Sequence, residues 1–166
     1  ADLQEKLHLL AVQCEQTVEI DGILALARSA PSLTAPPLAR PKRVPGAPVI
    51  AVARDEAFCF LYEDNLDLLR EAGARLAWVS PLHDGGLPAG ISGLLLPGGY
   101  PELYAQALSQ NALMREAIRR AVLMGMPTVA ECGGFLYLHE ALCDERGGRY
   151  DMAGVIPGAA ALRRPM

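Results

Sequence analysis

Between residues 49 and 156, short apolar runs alternate with helix-patterned segments, and this alternation constrains the fold more than any other feature of the sequence. Val49–Ala53 (VIAVA) has no polar position, as expected for a parallel strand buried on both faces. Asn65–Ala72 places Leu66 and Leu69 on one helical side. It is followed by Gly73, the residue type that most readily takes a left-handed conformation past a helix end. Leu76–Val79 and Ile91–Leu96 (ISGLLL) are the second and third predicted strands. A helix is predicted from Pro101, since proline suits a first helical turn. Another is predicted from Asn111, a good N-cap, with Leu113, Ala117, Ala121 and Met124 on one side. Thr128–Ala130 is the fourth strand, Phe135–Leu142 the next helix and Met152–Ile156 a fifth strand. Such alternation specifies an α/β fold, a parallel sheet covered by helices on both faces, with sites at the carboxyl ends of the strands.

The first thirty residues are different. Leu3, Leu7, Leu10, Cys14 and Val18 recur at helical spacing, and Asp21 is expected to cap a second short helix carrying Ile23, Leu24 and Ala27. From Ala30 to Pro48 the pattern collapses, and six of the thirteen prolines lie there. Proline at that density removes backbone donors and fixes φ, so residues 31–48 read as a semi-rigid linker, with Arg40, Lys42 and Arg43 as its solvated charges. A start in a helix pattern without Met, and a stop without a closing element, read as an excised fragment. The net charge of −4 leaves no basic footprint for nucleic acid. No apolar run approaches the ~18 residues of a membrane span, and no signal-peptide core opens the chain, so a cytoplasmic setting is expected.

Cys14, Cys59, Cys132 and Cys143 form no CxxC pair and no zinc-type cluster, so no metal site is expected. Cys132 has a distinctive setting. Thr128-Val129-Ala130-Glu131-Cys132-Gly133-Gly134 joins a buried strand directly to a helix, with small residues two positions either side of the cysteine. That is the pattern of a nucleophile elbow, in which larger flanking side chains would collide with the adjoining strand and helix. A helix N-terminus favours the thiolate, and the Gly133 amide is placed to donate to a developing oxyanion. The alternative is an ordinary tight turn with a buried cysteine.

The third strand ends in Leu96-Pro97-Gly98-Gly99-Tyr100-Pro101-Glu102, where adjacent glycines let backbone amides approach a ligand. With parallel strands, this loop and the cysteine turn emerge at one sheet edge, the two halves of an acyl-transfer site. Arg54, Asp55 and Glu56 share that edge, either lining a pocket, pairing with a partner domain or forming a solvated loop. A cysteine nucleophile needs a base. His8 precedes the linker, His139 follows Cys132 on the predicted helix, and His83 lies in a glycine-rich turn. The base is therefore expected beyond Met166.

Three stretches carry a family resemblance: Ala53-Arg54-Asp55-Glu56-Ala57-Phe58 with Phe60, Tyr62 and Asn65; Leu96 to Leu103; and Ala130 to Gly134 with Tyr137-Leu138. In this order they resemble the cobyrinic acid a,c-diamide synthases of cobalamin biosynthesis, over nearly all of Val49–Gly158. The resemblance implies a class I glutamine amidotransferase-like (flavodoxin-like) domain over 49–166, incomplete and truncated before its catalytic histidine. It implies that residues 1–30 are the closing helices of an N-terminal ATP-dependent synthetase domain. Cys132 would form a glutamyl thioester, with Gly99 and Gly133 as oxyanion donors. Gly98, Tyr100, Glu102, Arg54, Asp55 and Glu56 would serve substrate binding or a domain interface. The implied partners are glutamine, a cobyrinic acid-type tetrapyrrole and the synthetase domain, which uses ATP and Mg²⁺. The fragment itself, with no ATP motif and no base, is expected to be inactive. Hydrogenobyrinic acid or nickel-sirohydrochlorin as substrate, a thiol-redox protein and a non-catalytic docking domain remain the competing expectations.

Overall fold

The computed structural model describes residues 2–34, 36, 40–144 and 147–161. Pro37 of the expected linker and residues 162–166 of the expected amidotransferase domain lie outside the described residues. The chain divides into two compact units, Ala1–Ala39 and Arg40–Met166.

The first unit holds α1 (Leu3–Thr17) and α2 (Ile20–Arg28), neither with a buried residue. The expectation that Asp21 caps α2 is not met. The helix begins two residues earlier, with Glu19 at the N-cap and Asp21 inside the first turn, where its charge suits the helix dipole.

The second unit is built on β1 (Val49–Ala53), α3 (Glu63–Glu71), β2 (Arg75–Val79) and β3 (Gly93–Leu96). A 3₁₀ turn (Pro101–Tyr104), α4 (Ala105–Gln110), α5 (Ala112–Leu123) and β4 (Thr128–Ala130) follow. The four strands form one parallel sheet in the order β2-β1-β3-β4. The α/β fold expected from the alternation is therefore present, with helices flanking a parallel sheet. Gly73 closes α3 at φ +94°, and the Asn111 side chain caps α5 by accepting from the Met114 amide.

One sheet face, bearing Ala51, Ala53, Leu94 and Leu96, packs against Leu108, Met114 and Ile118 of α4 and α5. Burying each such large side chain is worth about 2 kcal/mol. The inward face of α5 is rotated from the expected one. Leu113 and Met124 are 72% and 81% exposed, while Met114 and Ile118 are fully buried. Ala117 and Ala121 flank this bulkier row and are half-buried. On the other face, α3 leaves Val129 56% exposed at the rim of an apolar groove of about 740 Å³.

The largest departure from the sequence reading follows β4. The expected helix over 135–142 stops early: α6 spans only Gly133–Tyr137, and β5 (His139–Cys143) takes the remainder. β5 pairs antiparallel with β6 (Arg149–Asp151) and parallel with β7 (Ile156–Ala161) in a second, three-stranded sheet. The expected fifth strand over 152–156 is instead the segment that stops the helix. The amides of Met152, Ala153, Gly154 and Val155 donate to the carbonyls of Glu140, Tyr137, His139 and Leu138. Those carbonyls are then unavailable to a continuing helix, so tertiary pairing overrides a helical apolar pattern.

Candidate functional site

In the order β2-β1-β3-β4 the chain winds outward in opposite directions from β1 and β3, which makes the carboxyl ends of these neighbours the switch point where open α/β sheets bind ligands. The loops leaving β1, β3 and β4 meet there.

β4 and α6 are separated by only Glu131 and Cys132. Cys132 adopts φ 47°, ψ −111°, a conformation costing a non-glycine residue about 1–3 kcal/mol. It persists because the turn is pinned to the end of β3: the Glu131 amide donates to the Leu96 carbonyl and the Gly134 amide to the Pro97 carbonyl, both at 3.0 Å. Gly134 is obligatory, since a Cβ there would lie 2.1 Å from the Leu96 oxygen. The turn therefore has the strain and close approaches of a nucleophile elbow, and it leaves the Cys132 thiol free and exposed. With only five residues, α6 offers no long helix dipole at that sulfur.

The Gly98-Gly99 loop packs against this turn. A Cβ on Gly98 would lie 3.4 Å from the Cys132 Cβ, and one on Gly133 would lie 3.0 Å from the Gly99 nitrogen. The two amide-bearing glycines are thus immediate neighbours, both buried. Among the described residues neither the Gly99 nor the Gly133 amide finds an acceptor, an uncommon condition for buried donors. The loop is held from the β1 side as well: Tyr100 N–H donates to the Ala57 carbonyl and Phe60 N–H to the Gly98 carbonyl, each at 3.0 Å. The rings of Phe60 and Tyr100 meet edge to face at 5.0 Å beside Gly98. An exposed thiol flanked by two unpaired amides can hold an acyl carbon on sulfur with its oxygen between the donors.

The other residues singled out from the sequence are placed differently. Arg54 lies over the Trp78 ring at 5.0 Å. Asp55 accepts four hydrogen bonds from its own chain. Glu56 is exposed and meets His83 Nε2 at 2.9 Å. Hydrogen bonds from backbone amide and His83 hold the Glu56 carboxyl below its ordinary range, and the same contact raises the His83 imidazole. Glu102 sits half-buried in the 3₁₀ turn. His139 is at the start of β5 instead of on a helix, its Nδ1 3.0 Å from the Phe135 carbonyl. Sequence reasoning missed Phe60 and the Ala57 carbonyl as neighbours of the site; only the contact between the β1 and β3 loops reveals them. Among the described residues no three His, Cys, Asp or Glu side chains are grouped to hold a metal, and no helix is long and apolar enough to cross a membrane.

The family of the CobB/CobQ-like glutamine amidotransferase domain matches residues 49–164. The chain is 43% identical over 168 residues to a cobyrinate a,c-diamide synthase of Dehalococcoides mccartyi strain CBDB1, covering 99% of this chain and 36% of that protein. It is 47% identical over 169 residues to a hydrogenobyrinate a,c-diamide synthase of Stutzerimonas stutzeri, covering 95% and 39%. It is 43% identical over 164 residues to a cobyrinate a,c-diamide synthase of Salmonella typhimurium, covering 96% and 35%. The chain thus spans little more than a third of the length of these relatives. Over most of its length, including the cysteine turn and the glycine loop, this chain belongs to the CobB/CobQ-like glutamine amidotransferase domain family.

Proposed function

We propose that this domain releases ammonia from glutamine for an ATP-dependent amidation of a tetrapyrrole. The observation that carries the reading is the strained Cys132 turn packed against Gly99, with the amides of two buried glycines lacking acceptors among the described residues. The Cys132 thiolate attacks the side-chain amide carbon of glutamine. The carbonyl oxygen, now an oxyanion, lies between the Gly99 and Gly133 amides, which strengthen as charge develops. Collapse expels ammonia once its nitrogen has gained a proton, leaving a γ-glutamyl thioester that water hydrolyses to glutamate. The Gly98 and Tyr100 segment lines this site, and Glu102 stands at its margin.

The proton donor and base is not among the three histidines of this sequence in our reading. His83 is held by Glu56, His139 by the Phe135 carbonyl, and His8 belongs to the other unit. The 166-residue chain alone is accordingly inactive. The names of the relatives support cobyrinate or hydrogenobyrinate as the acceptor, its a and c carboxylates becoming amides. ATP and Mg²⁺ would act in a synthetase portion, of which residues 1–30 are the closing helices, and residues 31–48 link that portion to this domain.

The test uses the full-length protein with Cys132→Ala. Glutamine-dependent amidation is lost, whereas added ammonium salts still support amidation at the wild-type rate. Retention of glutamine-dependent amidation, or loss of both activities in a folded variant, refutes the proposal.

A further inference from the structure

Asp55 directly follows the loop's first residue, Arg54, and both of its carboxylate oxygens are committed. Oδ1 accepts from the amides of Ala57 and Phe58 at 2.9 and 3.1 Å. Oδ2 accepts from the Ser80 hydroxyl and the Leu82 amide, both at 2.9 Å. A carboxylate offers about four lone-pair sites, so this one has none left for a substrate. Two of its donors lie in the 55–58 turn and two in the loop leaving β2. A single side chain therefore ties together loops from adjacent strands.

The tie bears on the glycine loop. Ala57 is fully buried, and its carbonyl accepts the Tyr100 amide at 3.0 Å. The same oxygen faces Gly99 so closely that a Cβ there would lie 2.1 Å from it. The Tyr100 N–H bond fixes the planar Gly99–Tyr100 peptide, and the Phe60 N–H, which donates to the Gly98 carbonyl at 3.0 Å, fixes the planar Gly98–Gly99 peptide that carries the Gly99 N–H.

We propose that Asp55 is a positioning residue of the amidotransferase site. Its carboxylate sets the 55–58 turn, the Ala57 carbonyl and the nearby Phe60 amide hold the two peptides on either side of Gly99, and the Gly99 amide is thereby kept beside that of Gly133. This rests on the oxyanion role proposed above. Asparagine cannot replace aspartate here, because its NH₂ group would face two donors with no lone pair to offer.

The experiment compares wild type, Asp55→Asn and Ser80→Ala in the full-length protein, by glutaminase kinetics and by the rate at which iodoacetamide alkylates Cys132. Alkylation displaces iodide and builds no oxyanion, so it reads the thiolate alone. In Asp55→Asn, kcat falls about 10- to 100-fold while KM and the alkylation rate change less than about threefold. Ser80→Ala removes one donor of the four and lowers kcat about threefold to tenfold, again with unchanged alkylation, which keeps the test open if Asp55→Asn does not fold. Wild-type kcat in either folded variant overturns the inference, as does an equal fall in hydrolysis and alkylation. A wild-type protein that does not hydrolyse glutamine overturns the amidotransferase reading itself, and this inference with it.

Discussion

Gly99→Ala tests the glycine loop at its tightest contact. The new Cβ would stand 2.1 Å from the Ala57 oxygen and 2.8 Å from its carbonyl carbon. Real Cβ atoms essentially never come within 3.0 Å of a neighbour, so the backbone must yield by at least 0.9 Å. The 55–58 turn resists, because four hydrogen bonds to Asp55 hold it, and the displacement therefore falls on Gly99. A misplacement of about 1 Å costs on the order of 10²-fold in rate, the low end of what losing one oxyanion donor costs. We expect kcat for glutamine hydrolysis to fall about 100-fold, or roughly 2.7 kcal/mol, with KM little changed, since the lost interaction belongs to the transition state. The overpacking costs about 1–3 kcal/mol of stability, which a domain of ordinary stability survives. Glutamate release by the full-length protein gives the kinetics, and a thermal melt shows that the variant is folded. Gly86→Ala, with nothing within 4 Å of the added methyl, is the control. A folded Gly99→Ala variant with kcat near wild type would refute the reasoning.

Three other outcomes follow from the same structure. Cys132→Gly relieves the strain at φ 47°, and because the thiol is exposed little packing is lost, so urea unfolding should show a gain of about 1 kcal/mol; a lower midpoint contradicts the strained turn. Tyr137 is fully buried with its hydroxyl lacking a partner among the described residues, and burial pushes its phenol well up. Tyr137→Phe should therefore stabilise the protein by about 1 kcal/mol, and a clear loss of stability would show that the hydroxyl is satisfied. For the Glu56–His83 pair, the raised imidazole contributes below histidine's unfolded value and fades as pH rises through its folded value. The lowered carboxyl contributes above glutamate's unfolded value and fades as pH falls through its folded one, so the pair persists between the two. In Glu56→Gln, the His83 midpoint followed by NMR should move down toward the ordinary histidine value; an unchanged midpoint argues against the contact.

The parallel sheet was legible because β1 and β3 are uninterrupted apolar runs, a pattern that only burial on both faces explains. The cysteine turn was legible for a similar reason: Gly134 tolerates no side chain against Leu96, so the local requirement is written into the residue itself. The second sheet was not. Phe135 to Leu142 has helical apolar spacing, and the carbonyl acceptors that end α6 are claimed by amides from 152–155, twelve to seventeen residues away and invisible to any local pattern. The face of α5 was misjudged because Leu113 and Met114 are equally apolar, and only packing against Ile118 decides between them. Asp55 stood out as a charge at the correct edge, but its role as a tie depends on Ser80 and Leu82, which lie in another loop.

Acylation of Cys132 by the glutamine side chain is the step on which the proposed function rests. Incubation of the full-length protein with 6-diazo-5-oxo-L-norleucine, a glutamine mimic that alkylates the attacking nucleophile, followed by peptide mass spectrometry, tests it most directly. A single adduct is expected, on Cys132, suppressed by excess glutamine. An unmodified Cys132, or an adduct there that glutamine does not suppress, would contradict it.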